Sequence, residues 1–240
     1  MKIRIISDFM RSSDHESRAR RGDASPRGRD AAGPTHLITR YPLLSSCRTE
    51  IVAAIDTLRG VFSTGKKLLI CGNGGSAADS EHIVGELMKG FLKKRPIDEA
   101  FRAELERTAP GEGAEIGHRL QGALPALALT SQISLSSAIS NDTDASMVFA
   151  QQVYGLGQPG DALLGISTSG NSANVINAFI VAETLGLHTI ALTGRTGGRL
   201  NCRADIVIRV PADGVAEIQE LHLPVYHALC IALEESFFAS

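Results

Sequence analysis

The stretch Leu68-Leu69-Ile70-Cys71-Gly72-Asn73-Gly74-Gly75-Ser76 decides the fold. Its apolar run reads as a parallel strand buried on both faces, and the run ends in a glycine turn. Ala77 to Leu87 then has helix-forming composition, with Ile83, Val84 and Leu87 on one side. Strand, turn and helix in that order gather unpaired backbone N–H groups and the positive end of a helix dipole at one point, which attracts anions. The turn carries neither G-x-G-x-x-G nor G-x-x-x-x-G-K-[ST], so no nucleotide cofactor is expected. What remains is a phosphate held by amides and hydroxyls, with Ser76 at the turn.

Ala162 to Ser172 repeats the design: an apolar strand runs into Ser167-Thr168-Ser169-Gly170-Asn171-Ser172, and Ala173-Asn174-Val175-Ile176 opens a helix. Ser167, Thr168, Ser169 and Ser172 suit a phosphate that must be released, because hydroxyls add hydrogen bonds without a permanent ion pair. Either turn alone is better explained by serines acting as caps and turn formers. Two such turns, each after a strand, favour the phosphate.

Together the two turns resemble the sugar isomerase (SIS) domain. More narrowly, His82-x-x-x-Glu86, Asn141-Asp142 and Ile218-Gln219-Glu220-x-His222-x-x-x-x-His227 resemble the phosphoheptose isomerases, over roughly Leu43 to Glu235. The resemblance implies an aldose–ketose isomerase that turns sedoheptulose 7-phosphate into the manno-heptose 7-phosphate through an enediol. It implies Glu86 as base and His227 as acid, the turn Asn73, Gly74, Gly75, Ser76 and the serine loop on the phosphate, and Asn141, Asp142 and Gln219 on sugar hydroxyls. Some relatives carry zinc at positions matching His82, Glu86, Gln219 and His227, and His222 matches a family histidine beside the site. The domain normally forms dimers or tetramers whose sites are completed by neighbouring subunits.

The residues themselves support part of this. His82 and Glu86 are spaced i, i+4 and Gln219 and His222 i, i+3, so each pair shares one side of its helix. His227 lies eight positions past Gln219, within ~80° of it, and Pro224 between them is expected to kink the helix. Spacing alone leaves two readings open: a zinc site with imidazole, carboxylate and amide ligands, or a hydrogen-bonded polar cluster without metal. A carboxylate and an imidazole are the pair that moving a proton between adjacent carbons requires. Asp142 has a second reading, as half of an N-cap pair ahead of Ala145 to Tyr154.

The 240-residue length and 43% hydrophobic content fit one α/β domain with extensions. A net charge of −2 gives no reason to invoke nucleic acid, and no apolar run reaches membrane-spanning length. Four cysteines without C-x-x-C spacing suggest neither a disulfide framework nor a thiolate metal site. A cytoplasmic protein is expected. Residues 1–38, rich in Arg, Ser, Asp and Gly, read as a disordered leader ahead of a single domain over 39–240. A helix is expected from Tyr41 to about Phe62, and the last one over Ala216 to Phe237. Strands are expected at Leu68, Pro125, Ala162, His188 and Ala204, giving a mostly parallel five-stranded sheet with helices on both faces. Residues 93–122 read as an insertion, helical over Asp98 to Arg107 and loop-like around Pro110 to Gly113. Lys93-Lys94-Arg95 is either a solvated helix end or faces a phosphate. Two rivals remain: another sugar-phosphate isomerase or lyase on the same domain, and a non-catalytic sensor or scaffold that would be free to lose Glu86 or His227.

Overall fold

The computed structural model describes residues 33–238. Five strands, β1 (Leu68–Gly72), β2 (Ala126–Ala128), β3 (Ala162–Ser167), β4 (His188–Thr193) and β5 (Ile206–Arg209), form one sheet in the order β2-β1-β3-β4-β5. Every neighbouring pair is parallel. The helices are α1 (Pro34–Arg40), α2 (Arg48–Ser63), α3 (Gly75–Met88), α4 (Glu99–Thr108), α5 (Glu112–Arg119), α6 (Ile133–Asp142), α7 (Val148–Leu156), α8 (Ala173–Leu185) and α9 (Val215–Phe237). Successive strand residues serve opposite faces. Leu68 and Ile70 pack with Ile55, Ile83 and Val225 on the side of α2, α3 and α9. Leu69 and Cys71 pack with Phe149, Val153 and Phe179 on the side of α7 and α8. Helices on both faces are why β1 and β3 are buried throughout and almost wholly apolar.

Several expectations change. Residues 1–32 of the expected leader lie outside the described residues. Its expected end at 38 falls inside α1, which buries Leu37. The expected Tyr41–Phe62 helix is a 3-10 turn (Pro42–Cys47) running into α2. The segment around Pro110 to Gly113 is not simply a loop, because α5 starts at Glu112 and packs on α4 as a hairpin. The crossing is so close that a Cβ at Gly113 would run into the Leu105 carbonyl. The polar stretch before Asn141 is helix α6, in which only Ile139 is buried, so it shows no apolar stripe. Asn141 and Asp142 end that helix, and the cap ahead of Ala145 is Asp144, whose side chain accepts from the Ser146 N–H at 2.6 Å in a 3-10 turn (Ala145–Met147) that leads into α7. Pro224 lies inside α9 without ending it.

Candidate active site

The two turns leave neighbouring strands, since Gly72 of β1 is in register with Ile166 of β3. The carboxyl ends of such strands are where parallel sheets bind ligands. Gly74 takes a left-handed φ of 57°, and Ser76 is buried at the first turn of α3. The Ser76 and Ala77 amides donate to Asn73 and Gly74 carbonyls, both at 3.0 Å, so they already have partners. In the second turn Ser167 and Ser172 hydroxyls pair at 3.0 Å. Ser169 Oγ accepts from the Asn171 N–H at 3.2 Å, and the Thr168 carbonyl accepts from Gly194 N–H at 3.0 Å. The side chains of Asn73 and Asn174 exchange two hydrogen bonds of 2.9 Å, tying one turn to the helix behind the other.

Helices α3 and α9 run side by side in one direction. Gln219 lies against Gly75, where an added Cβ would stand 2.5 Å from Gln219 Nε2. One to two turns further on, Tyr226 donates to Asp79 Oδ1 at 3.1 Å and its hydroxyl stands 3.0 Å from His82 Nδ1. His82 Nε2 is 3.2 Å from Glu86 Oε1, and the His82 and His227 rings meet edge to face at 5.1 Å. The same pair of helices thus places Gln219 at the glycine turn, and His227, midway along α9, with His82 and Glu86 further along α3. The rise of an α-helix puts Ser76 and Glu86 about 15 Å apart.

Burial, with a smaller contribution from His82, lowers the His227 pKa, while Glu86 opposes the shift. His227 Nε2 is buried and has no hydrogen-bond partner. A neutral imidazole in that position can donate an N–H to a carbonyl oxygen or accept a proton. Burial raises the Asp79 pKa, against the Tyr226 hydrogen bond and the charge of His82. His222 is wholly buried, and burial pushes its pKa down to about 4. The Thr193 backbone lies nearby without hydrogen-bonding geometry, and neither His222 ring nitrogen has a partner.

Asn141 and Asp142 are exposed at the end of α6 and bond to each other at 2.8 Å. No hydrogen bond joins them to the turns or to the His82–Glu86–His227 group among the described residues. The donor types for zinc are present. His82 Nε2 and Glu86 Oε1 are spaced as two ligands at ~2.0–2.1 Å from one ion would be, Tyr226 fixes the other ring nitrogen, and His227 Nε2 is free. The set is not closed: among the described residues no three His, Cys, Asp or Glu side chains converge as ion ligands, and Gln219 is at Gly75.

Arg95 is neither solvated nor facing a phosphate. It is 1% exposed and donates through Nε to Glu234 Oε1 at 2.7 Å. Sequence reasoning missed Asp79, Tyr226, Asn174, Arg95 and Glu234. Only Asp79, three positions before His82 on the same helix, had a local signal.

A five-stranded parallel sheet with paired serine and glycine turns at its carboxyl edge is the architecture of the SIS domain, whose family model matches residues 115–194. A probable phosphoheptose isomerase of Thermoplasma acidophilum is 40% identical over 188 residues, 78% of this chain and 89% of that protein. The phosphoheptose isomerase of Dechloromonas aromatica is 43% identical over 199 residues, 82% of this chain and 88% of that one. The solved phosphoheptose isomerase of Neisseria gonorrhoeae superposes with a TM-score of 0.65 at 34% identity, covering 84% of this chain and 94% of that one. The chain belongs to the phosphoheptose isomerase family.

Proposed function

We propose that this protein isomerises sedoheptulose 7-phosphate to D-glycero-D-manno-heptose 7-phosphate through an enediol. Glu86 takes the proton from the carbon next to the carbonyl, and His227 serves the carbonyl oxygen. Asp142 and Gln219 orient hydroxyls. The turns holding Ser76 and Ser167 to Ser172 grip the phosphate, which spends remote binding energy on positioning the reacting end. The observation that carries this reading is the pairing of α3 with α9, which sets a carboxylate and an imidazole together one helix length from the phosphate turns. That separation suits a long sugar phosphate. A sensor or scaffold has no use for the Glu86 and His227 pair.

Zinc, when bound, would be held by His82, Glu86, Gln219 and His227 and would polarise the sugar's carbonyl and hydroxyl oxygens. The reading also includes a homodimer or homotetramer with sites completed by neighbouring subunits, and a cytoplasmic location. Among the described residues no helix is long and apolar enough to cross a membrane. The test is a screen of C5 to C7 ketose phosphates with purified protein. Aldose formation from the heptulose phosphate above the shorter sugars is expected, and no turnover of any of them overturns the isomerase.

A further inference from the structure

Helix α3 ends with carbonyls that have no intrahelical partner and with the negative end of its dipole. Arg95, nine residues beyond Glu86, meets both. Its Nη2 donates to the Glu86 carbonyl at 2.9 Å and its Nη1 to the Leu87 carbonyl at 2.8 Å. The remaining edge, Nε, donates to Glu234 on α9 at 2.7 Å, and the Phe238 ring covers the guanidinium at 4.6 Å. Glu234 in turn accepts from the Phe91 and Leu92 N–H groups, both at 2.8 Å. The Phe91 ring lies against His227, 5.3 Å between centroids. Both charged side chains are at most 1% exposed.

From this geometry we infer that Arg95 and Glu234 are positioning residues for the isomerisation, forming a buried clamp that fixes the Glu86 carboxylate relative to the His227 imidazole. One guanidinium holds the backbone of the residue that carries the base. The carboxylate bonded to it holds the residue that packs on the acid. Only a planar fork reaches two carbonyls and a carboxylate at once, so Lys cannot replace Arg95. Neither residue approaches the phosphate turns, so the clamp acts on the reacting end of the sugar and not on its anchoring. This inference rests on the isomerase reading.

Removing Arg95 alone strands a buried carboxylate and risks unfolding, whereas replacing both charges by apolar groups of similar size often preserves stability. The test therefore compares wild type with Glu234→Gln and with the double variant Arg95→Met/Glu234→Met, measuring kcat, KM for sedoheptulose 7-phosphate and Tm. Misplacing catalytic groups by about 1 Å can cost ~100-fold. A fall in kcat of roughly 10- to 100-fold, with KM within about twofold, is expected in each folded variant. Unchanged kcat in a folded variant overturns the clamp. So does a parallel loss of kcat, KM and Tm, or failure of both variants to fold, because the pair is then ordinary core. An inactive wild type overturns the isomerase reading, and the clamp with it.

Discussion

Asn73 and Asn174 present their amides to each other, each donating to the other's oxygen at 2.9 Å, across 101 residues of sequence. The pair binds the glycine turn after β1 to the helix after β3, so the two turns are tied to each other. Asn174→Ala should break both bonds. The pair is exposed and a net hydrogen bond contributes about 0.5–1.5 kcal/mol, so stability should fall by about 1 kcal/mol or less. KM should rise several-fold while kcat holds. Equal KM in the variant would show that the turns are set independently.

Glu86→Gln keeps the shape of the side chain and removes the basic carboxylate. Its kcat should fall at least ~100-fold, the low end of general acid–base contributions. His227→Ala should fall similarly, and the double variant should lose less than the product, since paired groups act as a unit. In deuterated water, label should enter the product at C2. Full activity in Glu86→Gln would remove this assignment.

His222 makes stability depend on pH. Its pKa is about 4 in the fold against an ordinary 6.5, so burial penalises the charged form. Its contribution is complete above pH 6.5 and is lost as pH falls toward 4. At about 1.4 kcal/mol per pH unit the loss is on the order of 3 kcal/mol. Tm should therefore drop between pH 6.5 and 4, and His222→Leu should flatten that slope. An unchanged slope would assign the acid sensitivity to other groups.

Metal content can be read without an activity assay. If zinc is bound through His82, Glu86, Gln219 and His227, protein purified without chelator or affinity metal should hold it and lose it in His82→Ala. Stoichiometry near zero in wild type, with turnover indifferent to chelator and added zinc, removes the four-ligand set.

The sheet was legible because both its faces are covered: the central strands β1 and β3, almost wholly apolar and ending in glycine and serine, have few other readings. His82 and Glu86 were legible because i, i+4 spacing survives in any helix. Helix α6 was not, since with one buried residue it carries no periodic stripe. Arg95 was misread because a Lys-Lys-Arg-Pro run looks solvated, and its partner Glu234 lies 139 positions away. The contact of Tyr226 with Asp79 spans 147 positions and depends on how α3 and α9 are paired. Gln219 and His227 share a helix side but meet different parts of α3, Gly75 and His82 respectively, which residue counting alone does not show.

The α4–α5 hairpin sits inside the connection from β1 to β2. Its helices pack chiefly on each other: α4 buries none of its residues, and α5 buries only Gly113 and Gly117. Closing a flexible loop costs entropy only with the logarithm of its length, about 0.6 kcal/mol for each doubling. A chain can therefore gain or shed such a hairpin almost without thermodynamic consequence for the sheet. That leaves this part of the molecule free to vary in sequence and length while the geometry around Glu86 and His227 stays fixed.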